Sequence, residues 1–162
     1  MELQANELNL ITFKSKLEQL YAPQARNKNI HFVVNSNSKT EQIPFSKNKL
    51  LQITGNLISN ALKFTPKSGH VTVDLDLVVG EQENINILHL KVKDSGIGLE
   101  AAAIDAILQG TAESTDGTNK EKGYGFGLAL VKHLIDSLQG TFHIHSRPGE
   151  GAVFEVRLPQ RS

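Results

Sequence analysis

The sequence predicts an α/β chain built on a mixed, largely antiparallel sheet with helices on one face. Three observations predict it. Segments with apolar residues at helical spacing are interleaved with short segments of strict two-residue alternation. The strand-like segments come mostly in adjacent pairs joined by short polar turns, which favours hairpins over crossovers. The length of 162 residues, at 39% hydrophobic and 21% charged, suits one ordinary core. The chain is therefore read as one domain over residues 1–162.

The elements follow in order. From 9 to 28, Phe13, Leu17, Leu20 and Tyr21 recur at helical spacing. IHFVV (30–34) reads as a short strand, and NSNSKTEQ as a polar loop. A second helix spans about 46–64, with Ser46 suited to its N-cap and Pro66 just past its end. In VTVDLDLVV (71–79), Val71, Val73, Leu75 and Leu77 alternate with Thr72, Asp74 and Asp76, a half-buried strand. GEQEN turns the chain into a partner strand, INILHLKV (85–92), ending at DSGIG. AAAIDAIL is a weak helical patch, and QGTAESTDGTNKEK after it has almost nothing to bury, so mobility is expected there. Leu128, Val131, Leu134, Ile135 and Leu138 define an amphipathic helix that Gly140 can terminate. TFHIHS and AVFEVRLP close the chain as a hairpin around RPGEG.

Composition removes several function classes. The 17 basic and 17 acidic residues cancel, which argues against a nucleic-acid or anionic-membrane partner held by bulk charge. With no cysteine, disulfides and thiolate metal sites are excluded. No apolar run approaches the ~20 residues of a membrane span, and the mixed, acidic first twenty residues are unlike a signal peptide. Any membrane anchor of a parent protein is expected outside this sequence.

Three polar clusters stand out against the core pattern. In LLQITGNLISNALKF, Leu50, Ile53, Leu57, Ile58 and Ala61 share an apolar arc, and Asn56, Asn60 and Lys63 form a stripe beside it at i, i+4 and i+7. Amide oxygens can ligate Mg²⁺ without adding charge, and an ammonium can meet phosphate. Alone, the stripe equally describes an ordinary polar helix face. Asp94 of DSGIG is in phase with Leu88, Leu90 and Val92, so its carboxylate faces the core and needs a donor. An exocyclic amino group such as adenine's would supply one, and Gly96 and Gly98 allow a positive-φ turn with room for a flat ring. Taken singly, the pentapeptide is also a common Asp-Gly turn. In KGYGFGLALVKHL, Gly123, Gly125 and Gly127 offer backbone N–H groups ahead of a helix expected to begin near Leu128. The stretch fits neither a P-loop nor a dinucleotide fingerprint.

In combination the three clusters resemble the ATP-binding catalytic domain of sensor histidine kinases, in the wider ATPase group with gyrase, the heat-shock chaperone ATPases and the mismatch-repair ATPases. NLISNALKFTP is similar to the N box of that family, DSGIG to its first glycine box and GYGFGLALV to its second. GEGAVFEVRLP resembles its terminal hairpin, so the likeness spans nearly the whole chain. It implies a two-layer α/β sandwich, the Bergerat-type ATP-binding fold, with ATP between helices and sheet under a mobile lid at about 99–124. Carried over by position, Asn60 is the main Mg²⁺ ligand, assisted by Asn56, and Lys63 binds phosphate. Asp94 accepts from the adenine amino group, with Gly96 and Gly98 shaping its pocket. Gly123, Gly125, Gly127 and Leu128 cradle the phosphates, and Tyr124 and Phe126 pack the lid.

The resemblance further implies Mg-ATP as cofactor and transfer of the γ-phosphate to a histidine on a separate dimerisation domain. It also implies a response regulator as downstream partner and a cytoplasmic placement. Hydrolytic members of the wider group carry a glutamate where this chain has Asn56, which cannot take up a proton. None of His31, His70, His89, His133, His143 and His145 sits in an acceptor-helix context; His143 and His145 read as exposed strand residues, His133 as helix surface. The sequence departs from the family at the lid, where Ile107 and Leu108 stand in for a Phe-containing motif. It departs again at the hairpin, where Ala152 and Val153 replace the usual hydroxyl residues. An ATP hydrolase, a serine-directed kinase of the same fold and a degenerate nucleotide-binding interaction module are the alternatives.

Overall fold

The computed structural model describes residues 10–36, 47–79, 85–109 and 123–161. Four helices and five strands follow one another as α1 (Leu10–Asn27), β1 (His31–Ser36), α2 (Lys47–Phe64), β2 (His70–Val79), β3 (Ile85–Asp94), α3 (Ala101–Leu108), α4 (Gly123–Ser137), β4 (Thr141–Ser146) and β5 (Ala152–Arg161). The strands form one sheet in the order β1-β2-β3-β5-β4. Only β1 pairs parallel, against β2, across the α2 crossover; the other three pairs are antiparallel. A mixed, mostly antiparallel sheet is thus the observed arrangement.

The pleat sorts the strands into two faces. Val71, Val73, Leu75 and Leu77 of β2 are buried beside Leu88, Leu90 and Val92 of β3 and Phe154, Val156 and Leu158 of β5. The intervening residues are partly or fully exposed and mostly polar, Val78, Ile87, Val153 and Pro159 excepted, with Glu155 held between His145 Nε2 at 3.4 Å and Lys91 Nζ at 3.8 Å. On the buried face lie Phe13 and Leu17 of α1, Leu50, Ile53, Leu57, Ile58 and Ala61 of α2, and Leu128, Val131 and Ile135 of α4. These apolar positions are the ones the helical spacing picks out. Leu20, at 41% exposure, is the exception on α1.

Helix ends depart from the sequence reading in an informative way. Gly140 does not supply the left-handed residue that ends α4; Gln139 does, at φ 62°. Its N–H donates to Asp136 O and that of Gly140 to Ile135 O, both at 2.9 Å, the paired bonds of a Schellman motif. Glycine is placed one position later because a Cβ there would lie 2.5 Å from Arg157 O on β5. Helix α1 ends the same way, with Asn29 at φ 56° and Ile30 N–H donating to Ala25 O. Beside it, Lys28 Nζ donates to Leu62 O at 2.9 Å and Lys63 O at 3.2 Å, so one ammonium satisfies two of the free carbonyls at the end of α2. That contact fixes the end of the helix that carries the Asn56–Lys63 stripe. The expected N-cap, Ser46, and most of the expected lid, 110–122, lie outside the described residues.

The Schellman geometry yields a stability test. Gln139→Gly removes the cost of a side chain in the left-handed region, and equilibrium urea unfolding should show about 0.5–1 kcal/mol of added stability. A loss of stability would mean that the helix ends elsewhere.

Candidate functional site

Helix α2 positions the first group of candidates. Asn60 is 6% exposed and donates from Nδ2 to Asn56 O at 2.8 Å; Asn56 does the same to Gln52 O, also at 2.8 Å. Each amide nitrogen is tied to the carbonyl one turn earlier, which sets the amide orientation and turns Oδ1 away from the helix backbone. Two neutral oxygens one turn apart at the margin of the core are a suitable donor set for a hard cation. Lys63, one turn on, is exposed, with its Nζ 5.9 Å from the Phe64 ring centroid.

The end of β3 provides the second group. Alternation carries Asp94 onto the core face, where it is 4% exposed. Gly96 N–H donates to its Oδ1 at 2.8 Å, whereas Oδ2 is buried without a hydrogen-bond partner among the described residues. Burial raises its pKa from the usual 3.8 to about 6, against the lowering effect of the backbone N–H groups of Gly96 and Ala152. The two glycines of the motif have different reasons. Gly98 has the positive φ, 79°, whereas Gly96 is required by space, since a Cβ there would lie 2.4 Å from Phe64 O at the end of α2. The expectation of positive φ for both is corrected at Gly96.

The same turn is stitched to the β4–β5 hairpin, a connection that sequence patterning does not reveal. Gly149 N–H donates to Ile97 O at 2.6 Å, and Leu99 N–H to Ser146 Oγ at 2.8 Å. Ser146 Oγ in turn donates to Gly151 O at 2.6 Å. A Cβ on Gly151 would fall 2.1 Å from Asp94 O, so backbone meets backbone there. A cavity of about 500 Å³ opens beside this junction, lined by Asp94, Ile104, Ser146, Arg147 and Ala152 among others. Ser146 and Gly151 are the residues the sequence reading missed. The only sequence signal was a hydroxyl ending TFHIHS, and it gains meaning only through its partners.

The glycine stretch differs from expectation. Helix α4 begins at Gly123, five residues before Leu128, and runs through Tyr124, Gly125, Phe126 and Gly127. Packing of α4 against α2 and α3 accompanies that extension and offsets the roughly 1 kcal/mol that each glycine costs a helix. In a regular helix the unpaired N–H groups are then those of the first turn, Gly123 to Gly125. The N–H of Leu128 lies inside the helix, and its side chain is fully buried in the core. Ile107 is also buried, and Leu108 is partly buried against the core. His143 and His145 are exposed on β4 and His133 on α4. Among the described residues no three His, Cys, Asp or Glu side chains form a group able to hold a metal ion, and no helix is long and apolar enough to cross a membrane.

The fold brings the three clusters onto touching elements. Helix α2 packs against both β3 and α4, and Gly96 lies against the α2 terminus. Helix α2, which carries the stripe, thus packs against both the strand that bears Asp94 and the helix that carries the glycines.

Comparison with known proteins agrees with this fold. The family of histidine kinase-, DNA gyrase B- and HSP90-like ATPases matches residues 46–162. The autoinducer 2 sensor kinase/phosphatase LuxQ of Vibrio cholerae is 34% identical over 159 residues, 97% of this chain and 18% of that protein. This chain therefore spans about a fifth of that curated relative. The catalytic domain of histidine kinase ThkA superposes with a TM-score of 0.75 at 21% identity, covering 94% of this chain and 95% of that one. Full-length ShkA in complex with AMPPNP gives 0.72 at 24% identity, covering 94% of this chain and 30% of that one. The chain belongs to the histidine kinase-, DNA gyrase B- and HSP90-like ATPases, as an ATP-binding catalytic domain of the sensor histidine kinase type.

Proposed function

We propose that this chain binds Mg-ATP and presents its γ-phosphate to a histidine on a separate dimerisation domain, as a cytoplasmic domain of a two-component kinase that serves a response regulator. The observation that carries this reading is the buried Asp94 carboxylate, whose Oδ2 has no hydrogen-bond partner among the described residues. A carboxylate left so in the core is costly unless a donor arrives, and the 6-amino group of adenine is a donor of the right size and polarity.

The remaining residues fit the same occupant. The Oδ1 atoms of Asn60 and Asn56 would hold Mg²⁺, Lys63 would pair with a phosphate, and the first-turn N–H groups of α4 would meet the phosphate end. Tyr124, Phe126, Gly127 and Leu128 would take part only as the frame of that helix start, and the lid remains assigned to about 99–124. When bound, Mg²⁺ neutralises phosphate charge and ATP supplies the phosphoryl group. The chain's own residues bind and orient. Asn56 cannot act as a general base, so water activation has no agent at that position. Five of the six histidines lie on strands and His133 on the surface of α4, which leaves the nucleophile to another domain.

Two substitutions separate metal from base recognition. Asn60→Ala should lower Mg-ATP affinity tenfold or more in titration calorimetry, as expected for about 1.5–3 kcal/mol lost with one contact to an ion. Equal affinity with and without Mg²⁺ in the unsubstituted chain would remove the amides from the site. For Asp94 the pH dependence has a definite sign. Its proton is held up to about pH 6 in the fold but only to about 3.8 otherwise, so the group favours folding below 3.8 and that contribution is lost as pH rises through about 6. Asp94→Asn should therefore raise the unfolding free energy of the nucleotide-free chain by about 1–2 kcal/mol at pH 8. The same variant should bind ATP at least tenfold more weakly, because its amide cannot reproduce the acceptor pair. Nucleotide affinity of the unsubstituted chain should fall on acidification through about pH 6. Incubated with Mg-ATP alone, the chain should form no phosphohistidine and turn over no ATP; appreciable hydrolysis abolished by Asn56→Ala would favour an ATP hydrolase instead.

A further inference from the structure

The outer face of the sheet, away from the helices, pairs its charges except at one end. Toward the middle, Asn35 Nδ2 donates to Asp74 Oδ1 at 3.0 Å. Glu155 lies there between His89 Nε2 at 3.6 Å, Lys91 Nζ at 3.8 Å and His145 Nε2 at 3.4 Å. At the end nearest the DSGIG turn the pattern changes. The β2–β3 register pairs Thr72 with Lys93 and Val71 with Asp94, and a bond from Ser95 N–H to His70 O at 3.1 Å carries it one step further. Alternation then puts Thr72 and Lys93, and next to them His70 and Ser95, on the outer face. Val71 and Asp94 between them are buried on the core face. His70, Thr72, Lys93 and Ser95, with Asp94, line a cavity of about 300 Å³.

What this cavity offers is unspent donors. The exposed Lys93 ammonium and the half-buried Thr72 hydroxyl make no side-chain hydrogen bond or ion pair among the described residues. Ser95 Oγ accepts the His70 backbone N–H at 2.9 Å, which leaves its own proton to give. The His70 ring carries an N–H in either charge state, and it lies 5.6 Å from the ring of His31 on β1, centroid to centroid. Acceptors of matching charge are placed elsewhere. Asp74, the next acidic residue along β2, is already held by Asn35, and Glu150 shares the neighbouring cavity with Arg147 and His145.

We propose that this pocket binds a phosphate-class oxyanion, on the opposite face of the sheet from the Asp94 carboxylate. Lys93 supplies the charge, as lysine does in many phosphate sites, and Thr72, Ser95 and His70 supply hydrogen bonds to the oxygens. Donors spread over two adjacent strands suit a tetrahedral ion, whose oxygens point in several directions, better than a planar carboxylate with two. The assignment stands apart from the nucleotide reading, because it uses none of the residues assigned to ATP or Mg²⁺.

The test titrates the full chain, without nucleotide, with inorganic phosphate at constant ionic strength and follows the backbone amides by NMR. The amides of His70, Thr72, Lys93 and Ser95 should shift and saturate together, and sodium chloride should not reproduce the change. Lys93→Gln should weaken this binding by about tenfold or more, as expected for one lost contact between charged groups, and Ser95→Ala should weaken it severalfold. Lys63→Gln removes the ammonium proposed for the nucleotide phosphate and should leave the outer-face shifts and their midpoint unchanged. O-phosphoserine separates the sources of the ligand. Tighter binding than inorganic phosphate identifies a phosphate carried on a larger molecule, equal or weaker binding identifies the free ion, and either supports the site. Shifts that chloride matches, that do not saturate, or that keep their midpoint in Lys93→Gln overturn the proposal. Loss of the shifts in Lys63→Gln would place the ion at the nucleotide site and overturn it equally. Absence of Mg-ATP binding would sink the nucleotide reading, while the phosphate titration would still decide this one.

Discussion

A carboxylate turned into the core at the end of a central strand is the constraint around which this region is arranged. Strand alternation places Asp94 on the same buried face as Leu90 and Val92. The surroundings compensate only in part. Gly96 N–H supplies one bond to Oδ1, and burial still dominates the proton equilibrium. The glycines on either side are consequences of the same need. Backbone from β3, from the end of α2 and from the β4–β5 turn converges so closely on this carboxylate that Cβ atoms at Gly96 and Gly151 would collide with main-chain oxygens. The nucleotide-free fold thus carries a cost at its strand end that a donor-bearing ligand would relieve, a common trade between stability and recognition.

Helix α2 solves a different problem with one length of chain. Its apolar arc anchors it to the sheet, and its stripe of amides lies at the edge of that arc, so packing energy holds the amide oxygens in place. The amide nitrogens are spent on carbonyls one turn earlier, which leaves oxygen as the outward atom. Lys28, reaching across from the end of α1, closes the far end of the same helix. The crossover from β1 through α2 to β2 is the only parallel connection among the described strands, and it brings α2 back across the face on which Asp94 points. Metal-binding and base-binding groups proposed for the site thereby come from one rigid layer and the strand beneath it.

Most of the architecture was legible from the chain. Alternation through Val71–Leu77 and Leu88–Val92 follows from one face being buried and the other wet, so strand identity, pairing and the inward direction of Asp94 could be read from period alone. Helical spacing identified the buried sides of α1, α2 and α4 for the same reason. Where expectation and structure part, the cause is a contact distant in sequence. Gly140 follows α4 because β5 approaches it, and the turn itself falls to Gln139. Gly96 is small because the α2 carbonyl lies against it. The start of α4 lies at Gly123 where packing on α2 and α3 accompanies a run that propensity would have ended.

The sequence by itself determined the fold class, the inventory of polar groups out of keeping with a core, and the family to which the chain belongs, because each depends on local period or on a short motif. Tertiary structure alone decided which groups meet. No pattern within TFHIHS predicts that Ser146 will span from Leu99 to Gly151, since Leu99 is 47 residues away and meets it only when the end of β3 and the hairpin turn come together at one end of the sheet. Hydrogen bonds between loops are set by the positions of whole strands, and those positions are fixed by burial summed over the core.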